Sequence, residues 1–225
     1  MKLGALFSGG KDSTYAMFKA SKEHNIVCLI TIKSLNPESY MFHTPNIDLV
    51  NLQAKAIGLP LIEVATRGEK EKELKDLENA LRKAKQEFDI EGVVTGALYS
   101  NYQKERVEKV AEKVGLKVLS PLWHMDQEKY MREVIEAGFK FILTQIAAEG
   151  LNKSWLGKVI TSKDVDKLVE LNKTVRINIA FEGGEAETMT IDGPIFKSKI
   201  VIKNAEIIME NECTGLYKIT EAELE

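Results

Sequence analysis

The segment Ser8-Gly9-Gly10-Lys11-Asp12-Ser13 crowds two hydroxyls, a cation and a carboxylate around a pair of glycines. Consecutive glycines let the backbone fold into a concavity lined by N–H groups. The stretch Tyr15–Ala20 that follows is apolar and long enough for a helix, whose N-terminus would add its positive end. The natural guest is an anion, phosphate above all. The loop G-x-x-x-x-G-K-[ST] is the obvious comparison and fails twice: Ala5 stands where its first glycine belongs, and Asp12 follows the lysine where a metal-binding hydroxyl is required. A glycine turn that only joined a strand to a helix would not need two serines, a lysine and an aspartate.

Two further groups carry polar chemistry. Tyr102 and Arg106 stand at i and i+4 in a segment opened by Ser100-Asn101-Tyr102-Gln103, which fits a helix-capping box. Arg106 is suited to neutralise a phosphate or to hold a carboxylate. Ser100 and Gln103 also admit a plain capping role, and Arg106 that of a surface cation. Glu182, Glu185 and Glu187 bracket Gly183-Gly184 and read as an acidic hairpin at the end of a strand, with a solvated turn as the bland alternative. His24, His43 and His124 are isolated, and no set of side chains has metal-ligand spacing.

These groups need elements to position them. Leu3–Phe7, Ile26–Ile32, Leu61–Ala65, Gly92–Thr95 and Lys117–Leu119 are short β-rich runs. Between them lie helical patterns: Tyr15–Ala20; a helix opened by Thr44-Pro45 with Ile47, Val50, Ala54 and Ile57 on one stripe; a charged helix from Glu69 with Leu74, Leu77, Leu81, Ala84 and Phe88; and Val107, Val110, Ala111 and Val114, closed by Gly115. Strands alternating with helices imply right-handed crossovers and a parallel sheet covered on both faces. The expected fold class is thus α/β over residues 1–121, a five-stranded parallel sheet between helices. Residues 122–225 are expected to form a smaller α+β C-terminal domain: a helix Gln127–Ala137 capped by Asp126, a strand Phe139–Ile146, a shorter helix after Ser162, then antiparallel strands. Period-two alternation suggests those strands at Val175, Ile177, Ile179 and Phe181, at Met189 and Ile191, at Ile200 and Ile202, and at Leu216 and Ile219. Gly150–Gly157, with Asn152, Lys153 and Trp155, is a candidate cover between the two domains.

Composition narrows the class. With 44% hydrophobic and 29% charged residues the chain is neither disordered nor membrane-embedded. A net charge of −3 disfavours a nucleic-acid partner. Cys28 and Cys213 form no C-x-x-C pair, so no zinc ribbon or disulfide framework is on offer. The short apolar start and the lack of an 18-residue apolar run point to a cytoplasmic protein with no membrane partner.

Placed after a first strand, S-G-G-x-D-S is the pyrophosphate-loop signature of the N-type ATP pyrophosphatases, and Ser8–Ser13 resembles it at every motif position. The resemblance implies an adenine nucleotide alpha hydrolase-like (HUP) fold and cleavage of ATP between its α- and β-phosphates. It implies that Ser8, Gly9, Gly10, Lys11, Asp12 and Ser13 hold the β- and γ-phosphates and that Mg2+ bridges the phosphates; Lys11 and Asp12 of this loop, with Arg106 from its place on the helix after the fourth strand, are the candidate catalytic residues. Adenine would sit over the carboxyl ends of strands one, two and four, near backbone at Ile32 and Gly96.

The stretches Glu91–Leu98, Ser100–Gln103, Arg106-Val107-Glu108, Gly115-Leu116, Pro121-Leu122-Trp123, Phe181–Thr188, Asp192-Gly193-Pro194 and Phe196-Lys197 resemble the diphthine-ammonia ligase family, in its short archaeal form, with eukaryotic members expected to carry extra C-terminal domains. That resemblance implies ATP-dependent amidation of diphthine on translation elongation factor 2, through an acyl-adenylate attacked by ammonia, with release of AMP and pyrophosphate. Tyr102, Gln103, Glu182, Glu185 and Glu187 are then the candidate substrate contacts, with Tyr102, Trp123 or Trp155 as aromatic walls for the trimethylammonium group. No glutaminase segment is recognisable, so free ammonium is the expected nitrogen donor, and a homodimer is left open. Two alternatives stand beside this reading: a tRNA-modifying ATP pyrophosphatase, which calls for paired or catalytic cysteines and a basic footprint, and a non-catalytic adenine-nucleotide sensor, which would bind ATP without cleaving it.

Overall fold

A computed structural model of the 225-residue chain describes residues 1–34, 46–68 and 73–225. His43, Thr44 and Pro45, and the charged residues from Glu69 to Lys72, lie outside the described residues. The chain divides into two compact units, Met1–Trp123 and His124–Glu225.

In the first unit the apolar runs form β1 (Lys2–Leu6), β2 (Asn25–Ser34), β3 (Leu61–Thr66), β4 (Gly92–Val94) and β5 (Lys117–Leu119). They make one parallel sheet of order β3-β2-β1-β4-β5. The helices between them are α1 (Lys11–Ser21), α2 (Val50–Ile57, preceded by a 3-10 turn Ile47–Leu49), α3 (Glu73–Phe88) and α4 (Asn101–Val114). Leu77, Leu81 and Ala84 of α3 and Val107, Val110 and Ala111 of α4 close on Cys28, Ile30, Ile32 and Val93, so both helices cover one face of the sheet. Side chains alternate along a strand, so Leu29 faces the other way, toward the layer of α1, which packs against β1, β2 and β4. The expected five-stranded parallel sandwich is the observed one. The strand order reverses between β1 and β4, which puts a switch point at the carboxyl end of β1.

The second unit holds α5 (Gln127–Glu136), β6 (Lys140–Ala147), α6 (Ser162–Val175), β7 (Ala186–Asp192), β8 (Ile200–Met209) and β9 (Thr214–Leu224). Its sheet is antiparallel, of order β7-β6-β9-β8, the expected α+β arrangement. Asp126 caps α5 by accepting from the Lys129 amide at 2.9 Å. Tyr130, Met131, Phe141, Leu143, Val165 and Leu168 are among its fully buried side chains. Among the described residues no helix is long and apolar enough to cross a membrane.

Two expectations about this unit need correction. The helix after Ser162 is longer than α5, 14 residues against 10, because Thr161 and Asp164 build a complete capping box and the stripe runs on to Val175. Val175 therefore ends a helix, and Ile177, Ile179 and Phe181 do not form a strand. Their alternation records burial only, since Arg176 turns left-handed at φ 60° and Phe181 at φ 63°. The amides of this segment are satisfied by side chains and turns instead of a ladder: Asn178 N–H donates to Glu185 Oε2 at 2.6 Å, Ile179 N–H to Gln127 Oε1 at 3.0 Å, and Phe181 N–H to the Asn178 carbonyl at 2.9 Å. Residues 150–157, the candidate cover, are tied into this unit. Asn152 caps a 3-10 turn at Lys153–Trp155, Leu151, Trp155 and Leu156 are buried, and Leu156 bridges to Leu143 of β6.

Candidate active site

Where β1 ends, Phe7 is held on both of its polar groups by β2. Its amide donates to the Ile30 carbonyl at 2.8 Å, and its carbonyl accepts the hydroxyl of buried Thr31 at 2.6 Å. The chain then enters the glycine loop. Gly9 adopts φ 79°, a left-handed value that glycine adopts at little cost. Gly10, extended at φ −75°, ψ 168°, occupies the N-cap position of α1 and offers no side chain to the helix end. The first-turn amides of a helix have no acceptor inside the helix, so the positive end of α1 opens on the loop at the sheet's switch point.

The two serines shape this turn. Ser13 Oγ donates to the Gly10 carbonyl at 3.2 Å and accepts from the Ser8 amide at 3.2 Å, and the two hydroxyl oxygens are 3.2 Å apart. The Gly10 amide donates to Ser8 Oγ at 3.4 Å. Lys11 is buried, and its Nζ reaches both carboxylate oxygens of Asp12 at 2.9 and 3.0 Å. Ser8, Gly9, Gly10, Lys11, Asp12 and Ser13 are thus one cluster. Such a cradle of amides, two hydroxyls and one ammonium group has the donor chemistry to hold a polyphosphate.

Gly96 belongs to the same place for a packing reason. It follows β4, where Thr95 receives the Ala97 amide at 3.2 Å on its hydroxyl. A Cβ on Gly96 would lie 2.6 Å from the Ser13 amide nitrogen and 2.7 Å from the Asp12 carbonyl carbon, so only glycine lets β4 seat the first turn of α1. Ile32 is placed differently. Its side chain is buried in the core under α3 and α4, which leaves only its backbone for a ligand.

Tyr102, Gln103 and Arg106 occupy the first turns of α4. Ser100 caps that helix by accepting from the Gln103 amide at 3.3 Å. Arg106 is folded back on Tyr102, with Cζ 3.4 Å from the ring centroid and Nη1 donating to the Tyr102 carbonyl at 3.3 Å. One face of Tyr102 therefore already carries a cation. The other aromatic walls also have a lysine nearby, Lys104 at 5.2 Å from the Trp123 ring and Lys158 at 5.6 Å from Trp155.

Glu182, Glu185 and Glu187 belong to the second unit, and the hairpin expectation is corrected there. Glu182 and Glu185 lie in a turn that enters β7 and Glu187 in β7 itself, a strand whose partner is β6, with Gly183 and Gly184 at φ 84° and 83°. Glu185 is spent on local structure: it receives the Asn178 amide, and burial pushes its carboxyl above the ordinary range against the opposing pull of that hydrogen bond. Glu187 stands opposite Gln145 of β6. Among the described residues no group of three or more His, Cys, Asp or Glu could hold a metal ion.

Gln53 was missed by the sequence reasoning. It is buried on α2 and its Nε2 donates to the Gly9 carbonyl at 2.8 Å. The signal was a polar residue one turn from Val50 and from Ile57, on the stripe that faces the core.

The model for the diphthamide synthase N-terminal domain matches residues 1–118, and that for the diphthamide synthase C-terminal domain matches residues 126–224. The chain belongs to the diphthamide synthase family. Family relatives include proteins named diphthine-ammonia ligase: from Mus musculus at 37% identity over 94% of this chain and 86% of that protein, from Homo sapiens at 34% with the same coverage, and from Schizosaccharomyces pombe at 36% over 92% of this chain and 37% of that protein. Extra length is therefore not a general mark of eukaryotic diphthamide synthases, as the resemblance had implied; it holds for the fission yeast relative, whereas the mouse and human proteins are little longer than the matched region. A solved structure described as a predicted subunit of tRNA methyltransferase from Methanocaldococcus jannaschii matches 86% of this chain and 98% of that one, at 17% identity and a TM-score of 0.46, a likeness too loose to bear on fold or function.

Proposed function

We propose that this diphthamide synthase family member amidates diphthine on translation elongation factor 2, using ATP and free ammonium. The observation that carries the reading is the Ser8–Ser13 cradle, set at the carboxyl end of β1 on the N-terminus of α1, in a chain that aligns over 94% of its length with proteins named for that ligation.

A carboxylate resists attack by ammonia because its leaving group would be oxide. Transfer of AMP from ATP to the diphthine carboxylate breaks the bond between the α-phosphorus and the bridging oxygen and frees pyrophosphate. Ammonia then attacks the acyl carbon, AMP departs with the carboxylate oxygen, and one proton is released. In this reading Ser8, Gly9, Gly10 and Ser13 hold the β- and γ-phosphates, Lys11 neutralises charge on the departing pyrophosphate, and Asp12 orients Lys11. Arg106, released from Tyr102, holds the α-phosphate or the incoming carboxylate. Mg2+, when bound, would be held chiefly by phosphate oxygens beside Ser8 and Ser13 and would supply further charge neutralisation. Glu182 and Glu187 are the carboxylates we assign to the substrate's quaternary cation.

The test is incubation with diphthine-bearing elongation factor 2, ATP, Mg2+ and ammonium, followed by mass spectrometry of the factor. Conversion of carboxylate to amide, about one mass unit lighter, with AMP as the nucleotide product, is the expected result. Formation of ADP, or an unchanged factor, would overturn it.

A further inference from the structure

We infer that Gln53 is a positioning residue for pyrophosphate, holding the Gly9–Gly10 peptide in the one orientation that presents an N–H to the anion. The inference rests on the assignment of the Ser8–Ser13 loop to phosphate.

The peptide is trans, as are all the described peptide bonds, so the Gly9 carbonyl and the Gly10 amide point in opposite directions. The carbonyl is drawn toward α2 by Gln53 Nε2 at 2.8 Å, and the Gly10 N–H accordingly points inward, to Ser8 Oγ. Glycine at φ 79° is the residue most able to flip its peptide plane. A flipped plane would bring a carbonyl oxygen, with its partial negative charge, to the side where the amides of α1 gather, and would repel the phosphate those amides attract. Gln53 opposes the flip by supplying the donor that the outward carbonyl needs. Its own carbonyl oxygen lies 2.0 Å from where a Cβ on Gly9 would be, which keeps that position a glycine. Because Gln53 is 1% exposed, water is poorly placed to replace that donor.

The experiment measures binding of inorganic pyrophosphate, ATP and AMP to the full chain by calorimetry. Gln53→Met keeps the side chain's length and removes the donor. We expect it to weaken pyrophosphate and ATP by about tenfold, the worth of one hydrogen bond, and to leave AMP unchanged, because AMP lacks the phosphates the loop grips. A loss shared equally by AMP would mark a merely structural role and overturn the inference, as would pyrophosphate affinity within about twofold of wild type. Gln53→Glu provides the second arm and decides the matter if Gln53→Met does not fold. Its carboxylate cannot donate whereas its protonated acid can, so its affinity relative to wild type at the same pH should recover as pH falls, and a flat ratio would overturn the inference. Lys11→Ala separates the two levels. If it weakens pyrophosphate and Gln53→Met does not, only the role of Gln53 falls; if Lys11→Ala leaves pyrophosphate binding intact, the loop assignment and this inference fall together.

Discussion

Lys11 and Asp12 are neighbours in sequence and partners in space, the lysine 3% exposed with its Nζ shared between the two carboxylate oxygens. The carboxylate pairs with the ammonium in a buried setting and fixes where it points. Asp12→Asn keeps the volume and loses the charge; Lys11→Met removes the cation. Each is expected to lower AMP formation by about a hundredfold or more, the scale of losing one preorganised charged donor. Steady-state AMP release with the modified factor checks it.

Gly96 should tolerate no side chain. The Cβ of Gly96→Ala meets backbone of Asp12 and Ser13, which cannot swing aside as a side chain would. The variant is expected to lose about 1–3 kcal/mol of stability and, because the displaced turn belongs to the loop we assign to phosphate, to raise KM for ATP. Chemical denaturation and ATP kinetics read the two effects separately.

Glu185 and its neighbours should part company on mutation. Burial raises the Glu185 carboxyl above its ordinary value of 4.5, the Asn178 amide offsetting only part of the rise. A raised folded value means that the native state binds this proton more tightly than the unfolded chain. The associated stability is complete below about pH 4.5 and is lost as pH climbs through the raised value. Glu185→Gln keeps an acceptor for Asn178 and abolishes that loss. Its unfolding midpoint is expected to equal or exceed wild type at neutral pH, with the gap closing in acid, and its turnover should be retained. Glu182→Gln and Glu187→Gln should instead raise KM for the protein substrate.

Asp164 works with the opposite sign. Burial opposes its charge, but Lys158 and the hydroxyl and amide of Thr161 outweigh that penalty and hold its carboxyl below the ordinary 3.8. Its stabilisation is present above that value and fades as pH falls through the lowered folded one. Asp164→Ala removes the capping box of α6 and is expected to cost about 1–2 kcal/mol at neutral pH, with a smaller difference from wild type below about pH 3. Urea unfolding at both pH values tests this.

Native alkylation should label one thiol. Cys28 is buried on β2, and burial, aided by Glu87, pushes its thiol up to about 12. Cys213 lies half-buried in the turn between β8 and β9. Iodoacetamide at mildly alkaline pH is expected to modify Cys213 and spare Cys28, as peptide mass spectrometry would show. A thiolate-dependent chemistry in the first unit would require the reverse.

Much of the architecture was legible because it is local. β1, α1 and the glycine turn between them follow from adjacent residues. The five strands and four helices described in the first unit follow from two hydrophobic periods, and Ser100, Asp126 and Gly115 mark helix ends by side chains or backbone freedom that act within a few residues. Local signals failed where one pattern served two structures. Val175, Ile177, Ile179 and Phe181 alternate like a strand, but Val175 belongs to a helix and the other three are buried by turns whose amides bond to Asn178, Glu185 and Gln127.

By itself the sequence determined that a glycine loop carrying two serines, a lysine and an aspartate sits between a strand and a helix. Folding alone decided that Gln53 clamps Gly9 across 44 positions, that Gly96 seats α1, that Thr31 ties down Phe7, that Arg106 rests on Tyr102 and that Glu185 serves a turn. The division has one cause. Periodicity and capping depend on neighbours a turn or less away, whereas the partner of a buried polar group is whichever donor or acceptor the packing of distant elements brings within about 3 Å, and no local pattern encodes that distance.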